Sequence, residues 1–144
     1  MIMDGQAAIL LDWRSGDSLE RGQATLETIV RDYPETVHAI YAGHTLGNIW
    51  SDDAAKIDGA RPADFIKAVG YLTPAFERVM SEGAPVVAPD VVAGIVDRLA
   101  ISQQALGNNR AAASVLSTFV DTYGANPFMA DAIADAQLRL SELR

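Results

Sequence analysis

The sequence predicts an all-α chain, and three observations carry that reading. Apolar residues recur at the 3-and-4 spacing of a helical face along most of the 144 residues. No stretch shows the period-2 alternation of a half-buried strand. Finally, residues 26–33 (Leu-Glu-Thr-Ile-Val-Arg-Asp-Tyr) and 116–123 (Leu-Ser-Thr-Phe-Val-Asp-Thr-Tyr) match in Leu, Thr, Val and Tyr at the same four places. Each closes an amphipathic segment and is followed by a turn with proline and a further helical pattern. A segment that recurs in the same helix–turn–helix surroundings marks a repeat architecture of stacked helical pairs.

Taken in order, a first helix is expected over 4–14, stopping at Ser15-Gly16, where glycine tolerates left-handed geometry. Asp17 and Glu20 have the spacing of a capping box and open a second helix. Its buried face is Gly22, Leu26, Ile29, Val30 and Tyr33, and Pro34 forbids continuation. Thr36 is the expected cap of a third helix, whose face of Ala39, Gly43, Leu46, Gly47 and Trp50 holds small residues that admit a neighbouring backbone. Residues 51–61 are turn-rich and read as a loop or a single helical turn.

From Ala63 the positions Phe65, Val69, Leu72, Phe76, Val79 and Met80 keep helical spacing. Proline inside a helix costs about 3 kcal/mol, whereas Thr73 as cap with Pro74 as first helical residue avoids that cost, so a kink or break is expected at Thr73, with the helical face continuing. Residues 83–89 read as an extended connector with Val86 and Val87 tucked under the flanking helices. Asp90 is the expected cap of the next helix, with Val92, Ile95, Val96, Leu99 and Leu106 on its face and an end at Gly107-Asn108-Asn109. The segment 110–123 buries Ala112, Val115, Leu116, Phe119 and Tyr123. Asn126-Pro127 opens a last helix with the stripe Met129, Ala132, Ile133, Ala136, Leu140 and Leu143. This gives seven or eight helices in one domain over 1–144, with repeat-like parts at 4–50 and 90–144 and an irregular insert at 51–89.

A chain of this length buries roughly two thirds of its unfolded surface and folds without a metal or disulfide staple. It has no cysteine, which excludes thiolate catalysis and cysteine-type zinc sites and suits oxidising and reducing compartments alike. A net charge of −8 and a pI near 4.5, with lysines and arginines scattered singly, repel a phosphate backbone, so nucleic acid is not an expected partner. The longest apolar stretches fall well short of the ~20 residues that span a bilayer, so no membrane insertion is expected. As given, the chain fits the cytoplasm; had a leader been removed, it fits the periplasm or cell envelope.

The chemistry-bearing residues form no catalytic or metal constellation. His38 and His44, the only histidines, lie six residues apart and so about 120° apart around a helix, which prevents joint chelation. His38 reads as solvated and His44 as partly buried. Asp52, Asp53, Asp58 and Asp64 lack the spacing of a calcium loop around Gly59. Asp131 and Asp135, one turn apart, read as solvent contacts rather than an acid–base pair. There is no nucleophile elbow, and no glycine-rich phosphate loop, because Gly43 and Gly47 sit inside a helical pattern. No catalytic residue, cofactor or metal is expected.

Two passages resemble the tetratricopeptide-repeat family, in particular the divergent repeats of bacterial cell-envelope proteins. From Leu99 through Gly107-Asn108, Ala112, Leu116, Phe119 and Tyr123 to the helix of Ala130–Leu140, the order is that of such a repeat. Trp13, Gly16, Gly22, Leu26, Ile29, Tyr33-Pro34 and Ala39 follow it again, and Leu46-Gly47-Asn48-Ile49-Trp50 is similar to the family's Leu-Gly-x-x-aromatic signature. The resemblance implies antiparallel helix pairs in a short right-handed superhelix, with a concave face that holds a peptide or protein. The chain departs from the pattern where Gly22 stands for alanine and Gly124 for proline. In addition, Tyr33 and Tyr123 lie 90 positions apart, which is not a multiple of the ~34-residue period.

The functional expectation is a non-enzymatic scaffold module that binds a protein or peptide, with an acidic surface suited to a partner carrying a basic patch. Aromatic residues anchor many interfaces, so Tyr41, His44, Trp50 and Tyr71 are the candidate groove residues. The alternative is a small-molecule or enzymatic pocket in the irregular middle, around the same residues and Phe65. Self-association through the last helix is a further expectation, because the end of a stack exposes a stripe.

Overall fold

The computed structural model describes residues 16–52, 61–81 and 83–143, and these form six α-helices and one short 3₁₀ turn, with no strand among them. They are α1 (Gly16–Asp32), α2 (Val37–Ser51), α3 (Pro62–Met80), α4 (Pro89–Ala105), α5 (Asn109–Tyr123) and α6 (Ala130–Leu143), with the 3₁₀ turn at Pro127–Met129. The helix expected over 4–14 lies outside the described residues. Each helix packs on the next in sequence, α2 also reaches α4, and the α2–α3 contact is the most extensive.

Local signals place most of the boundaries. Thr36 caps α2, its Oγ1 accepting from the Ala39 amide at 3.3 Å. The α4 C-terminus is a Schellman turn: Gly107 takes φ 79°, its amide donates to Gln104 O, and Asn108 N donates to Gln103 O at 2.8 Å. Asn126 Oδ1 accepts from Phe128 N at 2.9 Å and so starts the 3₁₀ turn that leads into α6.

Elsewhere the structure corrects the expectation. Asp17 is helical, as is Gly16 before it, so it does not stand at a helix cap. α4 begins at Pro89 with Ala88 as its cap, because proline's fixed φ suits the first helical position; Asp90 lies in the first turn, where it complements the dipole. The helix does not break at Thr73, since α3 runs unbroken through Pro74. Phe65, Ala68 and Leu72 before the proline and Ala75 and Val79 after it are all buried, and one continuous helix keeps both halves on the core. Gly70, whose carbonyl loses its partner amide, is exposed, so water can replace the bond. Val86 is not tucked under a helix but 98% exposed, while its neighbour Val87 packs on the core.

Two apolar clusters hold the stack. The smaller joins Leu26 and Ile29 of α1 to Ala39, Ala42 and Leu46 of α2. The larger runs from Ile40 through α3, α4 and α5 to Met129, Ile133, Ala136 and Leu140, so the stripe of the last helix is buried within the chain. Glycines make the α2–α3 contact close. A Cβ at Gly43 would stand 2.9 Å from the Tyr71 carbonyl oxygen, and one at Gly47 would fall inside the fully buried Leu72 side chain.

The echoed segments meet different fates. Leu26 and Leu116 are buried alike, as are Ile29 and Phe119. Tyr33, however, is 46% exposed past the end of α1, contrary to its expected place on the buried face. Tyr123 remains in the last turn of α5, packs its ring on Phe119 at a centroid distance of 5.8 Å, and donates its hydroxyl to Val79 O at 2.6 Å. That carbonyl belongs to the last turn of α3 and has no helical donor.

Gly47→Ala will destabilise the protein by about 1–2 kcal/mol, because overpacking against Leu72 outweighs the helix propensity gained. Gly70→Ala, with open space around the new methyl, will stabilise it by about 0.5–1 kcal/mol; urea denaturation of both variants reads the difference in sign. In the same assay Tyr123→Phe will cost about 1 kcal/mol and Tyr33→Phe almost nothing, since of the two only Tyr123 donates its hydroxyl to a carbonyl among the described residues.

Candidate functional site

An open cleft of about 390 Å³ lies where α4 and α6 flank α5. α4 supplies Ala93, Gly94, Val96 and Asp97, α6 supplies Ala132, Asp135, Ala136 and Arg139, and Leu116 and Phe119 of α5 form the floor. The cleft exists because the residues that would fill it are small. Alanine at 93, 132 and 136 leaves the two helices with little side chain to close the gap between them.

Its charged groups are held in a definite pattern. Arg139, only 17% exposed at its side chain, reaches from α6 to α4 and pairs Nη1 with Asp97 Oδ1 at 2.7 Å. Its Nη2 donates to Gln104 Oε1 at 3.2 Å. Asp135, one turn before Arg139 on the same helix, is exposed and makes no hydrogen bond or ion pair among the described residues.

Gly94 also faces α2. A Cβ there would stand 2.6 Å from Nε2 of His44, so the imidazole lies against the bare α4 backbone. Asn48 Nδ2 lies 3.3 Å from the same nitrogen. Burial lowers the His44 pKa below its ordinary value of 6.5; Arg98 pushes the same way and Asp90 opposes both.

The residues singled out from sequence do not share one surface. His44 packs against α4 as described. Tyr41 is half-buried by the α1–α2 cluster and its hydroxyl accepts from Ala88 N at 3.4 Å. Trp50 packs on the larger core with Lys67 Nζ 4.1 Å from its ring centroid, a cation–π contact. Tyr71 turns towards α1 and donates to Glu27 Oε1 at 3.0 Å; burial is the main cause raising its pKa, with the Glu27 bond adding to it. Tyr71 also lines a smaller apolar pocket of about 130 Å³ with Val30, Pro34, Ala39, Ile40, Pro74, Ala75 and Arg78. His38 is exposed.

Asp97, Arg139 and the small residues of the cleft were not singled out in the sequence. A signal was present: Ala132 and Ala136 share one face of α6 at four-residue spacing, and Asp135 and Arg139 share the neighbouring one. Among the described residues no group of three His, Asp or Glu is placed to hold a metal ion, and no helix is long and apolar enough to cross a membrane. No protein-family model, curated protein or solved structure matches the chain. Its class is therefore stated by its own geometry: an all-helical stack with an open cleft between α4 and α6.

The direction of the His44 shift fixes a pH dependence. A histidine whose folded pKa is depressed takes up protons first in the unfolded state, so its contribution is complete above pH 6.5 and is lost as pH falls through the folded value. The urea midpoint of the wild type will therefore fall between pH 7.5 and pH 5.5 by more than that of His44→Gln, in which the titrating group is gone.

Proposed function

We propose that this chain is a short helical-repeat module, of the tetratricopeptide-like kind, that binds a protein or peptide segment without catalysing a reaction and serves the assembly of a larger complex. The observation that carries the reading is the cleft between α4 and α6. It is open to solvent, apolar at its floor and charged at its rim, the arrangement that accepts a side chain of a passing polypeptide while its backbone stays outside. The packing of consecutive helices, with α2 also reaching α4, is what a stack of helical pairs requires. The acidic balance of the whole chain favours a partner with a basic patch, with association slowed by salt.

A random peptide library displayed on phage and panned on the full chain tests this. The expected result is an enriched pool whose peptides lose about tenfold in affinity against Ala132→Phe, where a ring projects from a half-buried position into the cleft. Circular dichroism of the variant checks that it is folded. No enriched pool, or one that binds the two proteins equally, overturns the reading.

A further inference from the structure

The charge pattern of the cleft narrows what it takes. On an isolated helix Asp135 and Arg139, four apart, are natural partners. Here the guanidinium is instead drawn across to α4, one arm on Asp97 and the other on Gln104, and Gln104 fixes it there. Asp135 is left uncompensated, and Asp97 is engaged through one oxygen only among the described contacts. The lining holds two carboxylates and one guanidinium, so the cleft carries a net negative charge inside a chain whose own net charge is −8. Its lining is apolar where Ala93 and Ala132 stand. That combination suits a side chain with a methylene stem and a cationic head: the stem lies along the alanines and the head reaches the rim.

We propose that the cleft holds a lysine or arginine of a partner polypeptide, its stem between Ala93 and Ala132 and its cation at the carboxylates of Asp135 and Asp97. This rests on the peptide-binding reading above, and the same library separates the two. The pool that depends on the cleft, being lost with Ala132→Phe, will be enriched in lysine or arginine next to apolar residues. A synthetic peptide from it will bind about threefold more weakly to Asp135→Asn and about tenfold more weakly to Asp135→Lys, and the loss will shrink as salt is raised. Panning on Asp135→Lys will enrich aspartate and glutamate instead. Asp135 is exposed, so neither substitution disturbs the fold.

A cleft-dependent pool without basic enrichment, or one indifferent to Asp135→Lys, overturns this inference and leaves peptide binding standing. Absence of any cleft-dependent pool overturns both. Spermidine as competitor separates the remaining source of the same chemistry: the proposal expects it to displace the peptide only at far higher concentration, and displacement at equal affinity assigns the cleft to a small polycation instead.

Discussion

The structure depends on how closely α2 lies against its neighbours. Gly43 and Gly47 on α2 let the Tyr71 carbonyl and the Leu72 side chain occupy space that any Cβ would claim. On another side, Gly94 of α4 does the same for His44 of α2. With Ala42 and Leu46 sealed against Leu26 and Ile29 of α1, α2 is gripped from three directions. Interiors packed at crystal-like density transmit any displacement to the next layer, so the glycine contacts set the positions of α3 and α4 together. Once α4 is set, α5 and α6 follow through the larger cluster, and the cleft between α4 and α6 is the residue of that arrangement.

Polar links across sequence-distant elements then hold the ends of the stack. Arg78 donates to Thr36 O at 2.6 Å and to Pro34 O at 3.3 Å, tying α3 to the α1–α2 connection. Tyr123 ties the end of α5 to the end of α3, and Arg139 ties α6 to α4. In two of the three a side chain satisfies backbone carbonyls at turns or helix ends that the local chain leaves open. Arg139 serves a second purpose, because by crossing to Asp97 it leaves Asp135 free at the rim of the cleft.

Helical periodicity, capping residues and turn chemistry are local properties, and they were legible along the chain. The Thr36 cap, the Gly107 turn and the apolar face of α6 all follow from residues within a few positions of one another. The break at Thr73 does not occur although the helical face continues as the spacing predicts: the local cost of Pro74, about 3 kcal/mol, is visible in sequence, whereas the burial of Phe65, Leu72, Ala75 and Val79 on one continuous core is not. Val86 and Tyr33 failed for a similar reason: apolar character says that burial is favourable, not that a neighbour stands in reach.

The candidate site divides along the same line. Large aromatic and titratable residues attract attention in a sequence, yet Tyr41, Trp50 and Tyr71 are each engaged with a different element, and only His44 lies near the cleft, behind Gly94. The cleft is made by alanines on helices separated in sequence by a third, and what marks it is the space that their side chains do not fill. The all-α class, the order of the described helices and the acidic balance were determined by the sequence alone, because each depends on residue type and short-range spacing. Which faces meet, which carboxylate stays unpaired and where a concavity opens were decided only by the tertiary structure, because they depend on which side chains stand opposite one another across α2, α4 and α6.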